Sequence, residues 1–183
     1  MCDFAHAASS QRVGIAPIPP VSTAWWSKRN AHPTEKLTVK RSAKLIKADR
    51  VLVDAATAAI KQRYRNDWQE VGAALRTRSG KIFTGVNLDA YLGRMAVCAE
   101  AVALGRAFVE LGADGIETIV AVRHPPPDEK DQNIRVVSPC GACRELIFDY
   151  DPKARVIVPN GKSPGVVAIS DLLPNKYRRG PET

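Results

Sequence analysis

Three cysteines and one glutamate occupy spacings from which a reaction centre can be built. Cys98 and Glu100 stand two residues apart in Cys98-Ala99-Glu100, and Cys140 and Cys143 belong to the run Pro139-Cys140-Gly141-Ala142-Cys143. Each run opens a stretch of helical propensity, over 97–111 and 140–150. A helix N-terminus offers unpaired N–H groups and a partial positive charge, which favours thiolate over thiol. Residues at i and i+3 share a helix face, so Cys140 and Cys143 can grip one metal ion together. Cys98 then supplies a third sulfur from the other helix. Three protein ligands leave the fourth tetrahedral position of a zinc ion open, as a catalytic site requires, and water bound there ionises near neutral pH. Glu100 is spaced to stand beside that water as a proton carrier without joining the metal. By itself Cys-x-x-Cys also serves as a redox dithiol, or as half of a closed structural zinc site whose fourth ligand would be Cys2 or His124.

The elements that must hold these groups are legible in the periodicity. Leu45, Leu52, Ala56, Ala59 and Ile60 recur at helical spacing, with Lys47, Asp49, Asp54, Lys61 and Arg63 opposite, which predicts an amphipathic helix ending near Tyr64. The runs 70–77 and 82–89, separated by Arg78-Ser79-Gly80-Lys81, predict a hairpin. A strand over 115–124, a proline-rich loop to Asn133, and strands at 154–159 and 166–170 complete the order α-β-β-α-β-α-β-β. That order predicts an α/β sandwich around one mixed sheet.

Composition sets the remaining bounds. The 183 residues carry a net charge of +8, but residues 1–50 hold nine basic against three acidic side chains, +6 of that total. The rest is near neutral, so the partner need not be a polyanion. Residues 1–44, broken by Pro17, Pro19, Pro20 and Pro33, are expected to be a flexible basic extension containing Trp25-Trp26. Residues 45–183 are expected to be the catalytic domain. No apolar run approaches the roughly 18 residues of a spanning helix, so no membrane partner is expected. The stretch Met1–Ser10 has no apolar core of a secretory signal, and four cysteines are too few for a disulfide scaffold; a cytoplasmic protein is expected.

The pair C-x-E and P-C-x-x-C is similar to the H-x-E…P-C-x-x-C signature of zinc nucleobase deaminases, with Cys98 in place of the histidine. The runs 71–89, 97–107, 138–147 and 171–177 resemble the small tri-cysteine cytidine deaminases and blasticidin-S deaminases, so the likeness spans about three quarters of the chain. It implies a three-layer α-β-α sandwich around a mixed five-stranded sheet. It also implies one Zn²⁺ per subunit on Cys98, Cys140 and Cys143, with Glu100 as catalytic acid and base. The reaction implied is hydrolytic deamination of cytidine or deoxycytidine. Main-chain groups at Ala99 and Ser138 would hold the pyrimidine, Asn87 and Asp89 the ribose, and Tyr177 would reach a neighbouring site in a homotetramer. A modified cytosine nucleoside such as blasticidin S is the second substrate reading, and a polynucleotide tethered by the basic extension the third.

The chain also departs from the pattern. Ala90-Tyr91-Leu92-Gly93-Arg94 replaces the family's Asn-Ala-Ser-Tyr-Gly, and Ala101 stands where an arginine often follows C-A-E. Three thiolates on Zn²⁺ leave a formal −1, and Arg144 is the expected offset.

Overall fold

The computed structural model describes residues 42–112 and 115–177. Most of the extension expected over 1–44, with Cys2 and Trp25-Trp26, lies outside them. Helix α1 (Lys47–Arg63) turns Leu52, Ala56 and Ile60 inward, one turn apart. Asp49 Oδ2 accepts the Ile46 N–H at 3.2 Å and closes its first turn. Strands β1 (Val71–Thr77) and β2 (Ile82–Val86) form the hairpin, with Gly80 at φ 87° supplying the left-handed residue of its turn. After a short 3₁₀ turn (Gly93–Met95) come α2 (Ala99–Leu111), β3 (Ile116–Arg123) and β4 (Arg135–Val137). Helix α3 (Gly141–Tyr150), β5 (Arg155–Val158), β6 (Gly165–Ala168) and a 3₁₀ turn (Ile169–Leu172) follow.

The strands lie in the order β2-β1-β3-β5-β6, with β3 and β5 parallel and the other neighbours antiparallel. A sixth strand, one more than the expected five, is β4, which pairs antiparallel with Ala121–Arg123 of β3. It continues past the point where β5 stops pairing at Val120. Three residues are too few to show a period of two, which is why the sequence around Val136 reads as loop.

Helices cover both faces. Leu52, Ala56 and Ile60 pack with Ala74, Val120, Val122 and Ile157 on one side. On the other, Ala99, Ala103, Leu104, Cys143 and Ile147 pack with Ala73, Leu75, Ile119 and Val156. Adjacent residues of β1 and β3 thus serve opposite cores, as pleating demands. At the α1 face Arg76 is buried. Its Nη2 donates to Asp49 Oδ1 at 3.0 Å, its Nε to Glu117 Oε2 at 2.7 Å and its Nη1 to the Ala48 carbonyl at 2.8 Å. The hydrogen bond from Arg76 also holds the Glu117 carboxyl below its ordinary pKa.

The sheet edges are both occupied. On β6, Ala43 exchanges two main-chain hydrogen bonds with Val166, at 2.8 and 2.9 Å. On β2, Arg106 of α2 donates to the Thr84 carbonyl at 2.6 Å.

The contact that places α2 is at Gly85. A Cβ there would stand 2.6 Å from both the Ala99 carbonyl oxygen and the Ala103 nitrogen. The helix rests on bare backbone, and its first turn has nowhere to move inward. Gly85→Ala is therefore expected to destabilise the fold by about 1–3 kcal/mol and to weaken metal retention, because the displaced turn carries Cys98 and Glu100. Gly80→Ala has open space and only its positive φ to strain, about 1 kcal/mol, with metal retention unchanged. Urea unfolding together with zinc analysis of both variants separates the two effects.

Candidate active site

Two helix N-termini converge on one point. Cys98 is the N-cap of α2 and Cys140 the N-cap of α3, both with extended backbone. The approach to α2 is fixed by a bridge in which Leu88 and Val97 exchange hydrogen bonds at 2.9 and 2.8 Å, folding the 88–97 loop back beside the end of β2. The approach to α3 is fixed by β4, whose last residue, Val137, pairs with Ala121 three residues before Cys140. Arg144 donates to the Pro139 carbonyl at 3.0 Å and to the Leu172 carbonyl at 3.3 Å. Its guanidinium thus ties down the loop before Cys140, instead of facing the sulfurs as the offsetting charge expected of it.

The Sγ atoms of Cys98, Cys140 and Cys143 all lie within 4.8 Å of one another, and those of Cys98 and Cys140 are 3.7 Å apart. Tetrahedral zinc with Zn–S near 2.3 Å requires sulfurs roughly 3.8 Å apart, so the three residues fit that ion. His124 is not part of the group. Its ring stacks on Tyr64 with centroids 3.8 Å apart, and its Nδ1 lies 2.8 Å from the Pro125 carbonyl oxygen. Among the described residues the cluster has three sulfurs and no fourth ligand, which is the open arrangement.

The helix ends do not treat the thiols alike. At Cys140 burial pushes the pKa up, but the Cys143 N–H, donating to Sγ at 3.4 Å, and the neighbouring thiols outweigh it, so this thiol is lowered. Cys98 has no capping hydrogen bond to its side chain, and burial leaves it raised. Cys143 is raised furthest, by burial first and then by the Glu100 carboxylate. The charge of the metal is what ionises these two. Glu100 is itself only 6% exposed, and burial raises its carboxyl above the ordinary range, against weaker pulls from its main-chain N–H and the Cys143 thiol. A carboxyl in this state holds a proton more readily than one in water.

A pocket of about 290 Å³ opens at this point. Asn87, Asp89, Ala99, Glu100 and Ser138 all line it, together with Cys98 and Cys140. Apolar walls that the sequence reading did not single out come from Val71 at the start of β1, Val137 at the end of β4, and Leu88, Ala96 and Val97 of the loop before α2. The signal for them was position: each is within two residues of a strand end or adjoins Cys98. No Lys or Arg is among the lining residues. Tyr177 does not line the pocket of its own chain and is 76% exposed. It follows Lys176, which is held on α3 by Glu145 at 2.7 Å and Asp149 at 2.8 Å.

Residues 46–159 match the family model described as the cytidine and deoxycytidylate deaminase zinc-binding region. The chain is 49% identical over 131 residues to the blasticidin-S deaminase of Bacillus cereus, covering 72% of this chain and 93% of that protein. A probable cytidine deaminase of Dictyostelium discoideum is 36% identical over 107 residues, 58% of this chain and 67% of the other. The crystal structure of cytidine deaminase from Mycobacterium leprae has a TM-score of 0.57 at 26% identity, covering 72% of this chain and 100% of that one. The matched stretch includes both converging helix ends and the sheet that aims them, so the chain belongs to the cytidine and deoxycytidylate deaminase family and is a zinc-dependent hydrolytic deaminase.

Proposed function

We propose that the chain deaminates a free cytosine nucleoside, cytidine or deoxycytidine, to uridine or deoxyuridine and ammonia. The observation that carries this reading is the buried Glu100 beside three convergent sulfurs, in a pocket lined by acids and no cation. A nucleotide phosphate or a polynucleotide would meet no counter-charge there, whereas an uncharged nucleoside needs none.

Zinc held by Cys98, Cys140 and Cys143 supplies the Lewis acidity that brings a water molecule towards ionisation at neutral pH. Glu100 manages the protons. Its carboxylate takes one from the attacking water and passes it to N3 of the ring, and a second then goes to the departing amine. The water oxygen forms the new bond to C4, the C4–N bond breaks, and ammonia leaves a uracil ring. Burial suits Glu100 to this work, since its raised proton affinity lets it carry the proton between donor and acceptor. The Ala99 N–H, at the first turn of α2, has no partner within its helix and is placed to donate to the ring, and the main chain at Ser138 borders the other side. Asp89 stands at the sugar end.

The same reading includes a homotetramer acting in the cytoplasm in pyrimidine salvage. Assembly is supported by the apolar side chains around the pocket mouth, with Tyr91 97% exposed and Leu92 and Met95 more than half exposed. Tyr177, turned outward, is suited to a site across such an interface. Among the described residues no helix is long and apolar enough to cross a membrane. A second substrate reading, a modified nucleoside such as blasticidin S, is favoured by the 49% identity to a blasticidin-S deaminase.

Glu100→Gln is expected to lower kcat at least about 100-fold while zinc content stays the same, measured by loss of nucleoside absorbance beside metal analysis. Equal rates for the two proteins would remove Glu100 from the chemistry. Chelation of the metal is expected to abolish turnover and expose three further thiols to a disulfide reagent. A panel of cytidine, deoxycytidine, their 5′-monophosphates, cytosine and blasticidin S tests the substrate. The unphosphorylated nucleosides are expected to lead the monophosphates by about tenfold or more in kcat/KM, about 1.4 kcal/mol. Blasticidin S in first place would install the second reading.

A further inference from the structure

Asn87 follows β2 directly and borders the pocket, and its side chain is already engaged. Its Oδ1 accepts the Glu70 N–H at 3.0 Å and the Val71 N–H at 2.9 Å, and its Nδ2 donates to the Trp68 carbonyl at 2.9 Å. Its own main-chain N–H donates to the Val71 carbonyl at 3.0 Å. These four bonds extend the hairpin beyond Gly72–Val86, where the regular register ends, with a side chain standing in for strand backbone. The orientation of the amide follows from its partners. Reversed, it would set an NH₂ group against two N–H donors and an oxygen against a carbonyl.

A carboxamide oxygen has two lone pairs, and both are spent on Glu70 and Val71. One N–H is left. Asn87 therefore has no acceptor to offer a sugar hydroxyl. What it holds, however, shapes the site: Val71 is part of the pocket wall, and the Trp68 ring meets Tyr91 edge-on with centroids 5.1 Å apart. Two residues on, Asp89 is exposed, and only the Ala90 N–H, at 2.7 Å from Oδ1, draws on its carboxylate. A carboxylate has about four acceptor positions, so room for hydroxyl donors remains.

We propose that Asn87 is a positioning residue, a clasp that holds Trp68–Val71 against the end of β2, and that recognition of the sugar hydroxyls falls to Asp89. This rests on the reading of the pocket as a nucleoside site. The role differs from the ribose contact that family resemblance implies for Asn87.

The test compares zinc-loaded Asn87→Ala and Asp89→Ala on cytidine, deoxycytidine and 2′,3′-dideoxycytidine, alongside amide hydrogen exchange. Asn87→Ala is expected to raise KM by about tenfold, by the same factor within about threefold for all three nucleosides, with kcat and zinc content little changed. The Glu70 and Val71 amides are expected to exchange at least about tenfold faster. The Asp89→Ala penalty is expected to shrink at least about tenfold when the sugar hydroxyls are absent. An Asn87→Ala penalty that vanishes on dideoxycytidine, or unchanged exchange at Glu70 and Val71, would overturn the clasp. Should Asn87→Ala not fold, Asn87→Asp keeps the acceptor and loses only the donation to Trp68, and the same uniform KM rise is expected of it. If the unaltered protein turns over none of the nucleosides, the nucleoside reading fails, and the exchange measurement still decides the clasp.

Discussion

The site exists because two helices end at the same place. A sulfur on the N-cap of α2 must come within 3.7 Å of one on the N-cap of α3, although the two residues are 42 positions apart. Neither helix can choose that position for itself. Helix α2 is set by its contact with Gly85, where any side chain would meet the Ala99 carbonyl, and by the Leu88–Val97 bridge that aims the chain into its first turn. Helix α3 is set by β4 and by Arg144, which ties the Pro139 carbonyl to that of Leu172. The central sheet is the common frame, since β2 carries Gly85 and β3 carries β4.

Convergence also concentrates electrostatic cost in a small volume. Three thiols and a carboxyl share it, and burial raises the proton affinity of Cys98, Cys143 and Glu100. Only Cys140, with a main-chain N–H on its sulfur, is drawn the other way. Such a cluster is poised for a divalent cation, which ionises the thiols as it binds, and it leaves Glu100 as the one buried acid free to exchange protons. The lack of cations in the lining belongs to the same economy, because positive charge at the mouth would favour phosphate over a neutral sugar.

Much of this was legible in the sequence. The zinc ligands are legible because Cys-x-x-Cys at a helix start and Cys-x-Glu at another constrain geometry through local spacing alone. Helices α1, α2 and α3 and the hairpin are legible because their apolar residues repeat. What was not legible depends on partners distant in sequence. Strand β4 is three residues long and is a strand only because β3 lies beside it. Arg144 looks like a counter-charge for thiolates until the carbonyls of Pro139 and Leu172 are seen to face it. Asn87 carries no mark in the sequence that distinguishes a sugar contact from a bond to the main chain of Trp68, Glu70 and Val71.

Arg76 shows a different kind of demand. Strand β1 is buried on both faces from Gly72 to Thr77, so the alternation that usually selects one strand pairing over its neighbour is missing. A shift by one residue would exchange Ala73 for Ala74, which costs little. The same shift would carry the Arg76 guanidinium away from Asp49 and Glu117 and into the apolar layer beneath α2, where Leu75 now sits. A buried ion pair adds little net stability, but a buried cation without its partners is strongly unfavourable. Arg76 thus acts as a key that admits one alignment of the hairpin and excludes those a single step away.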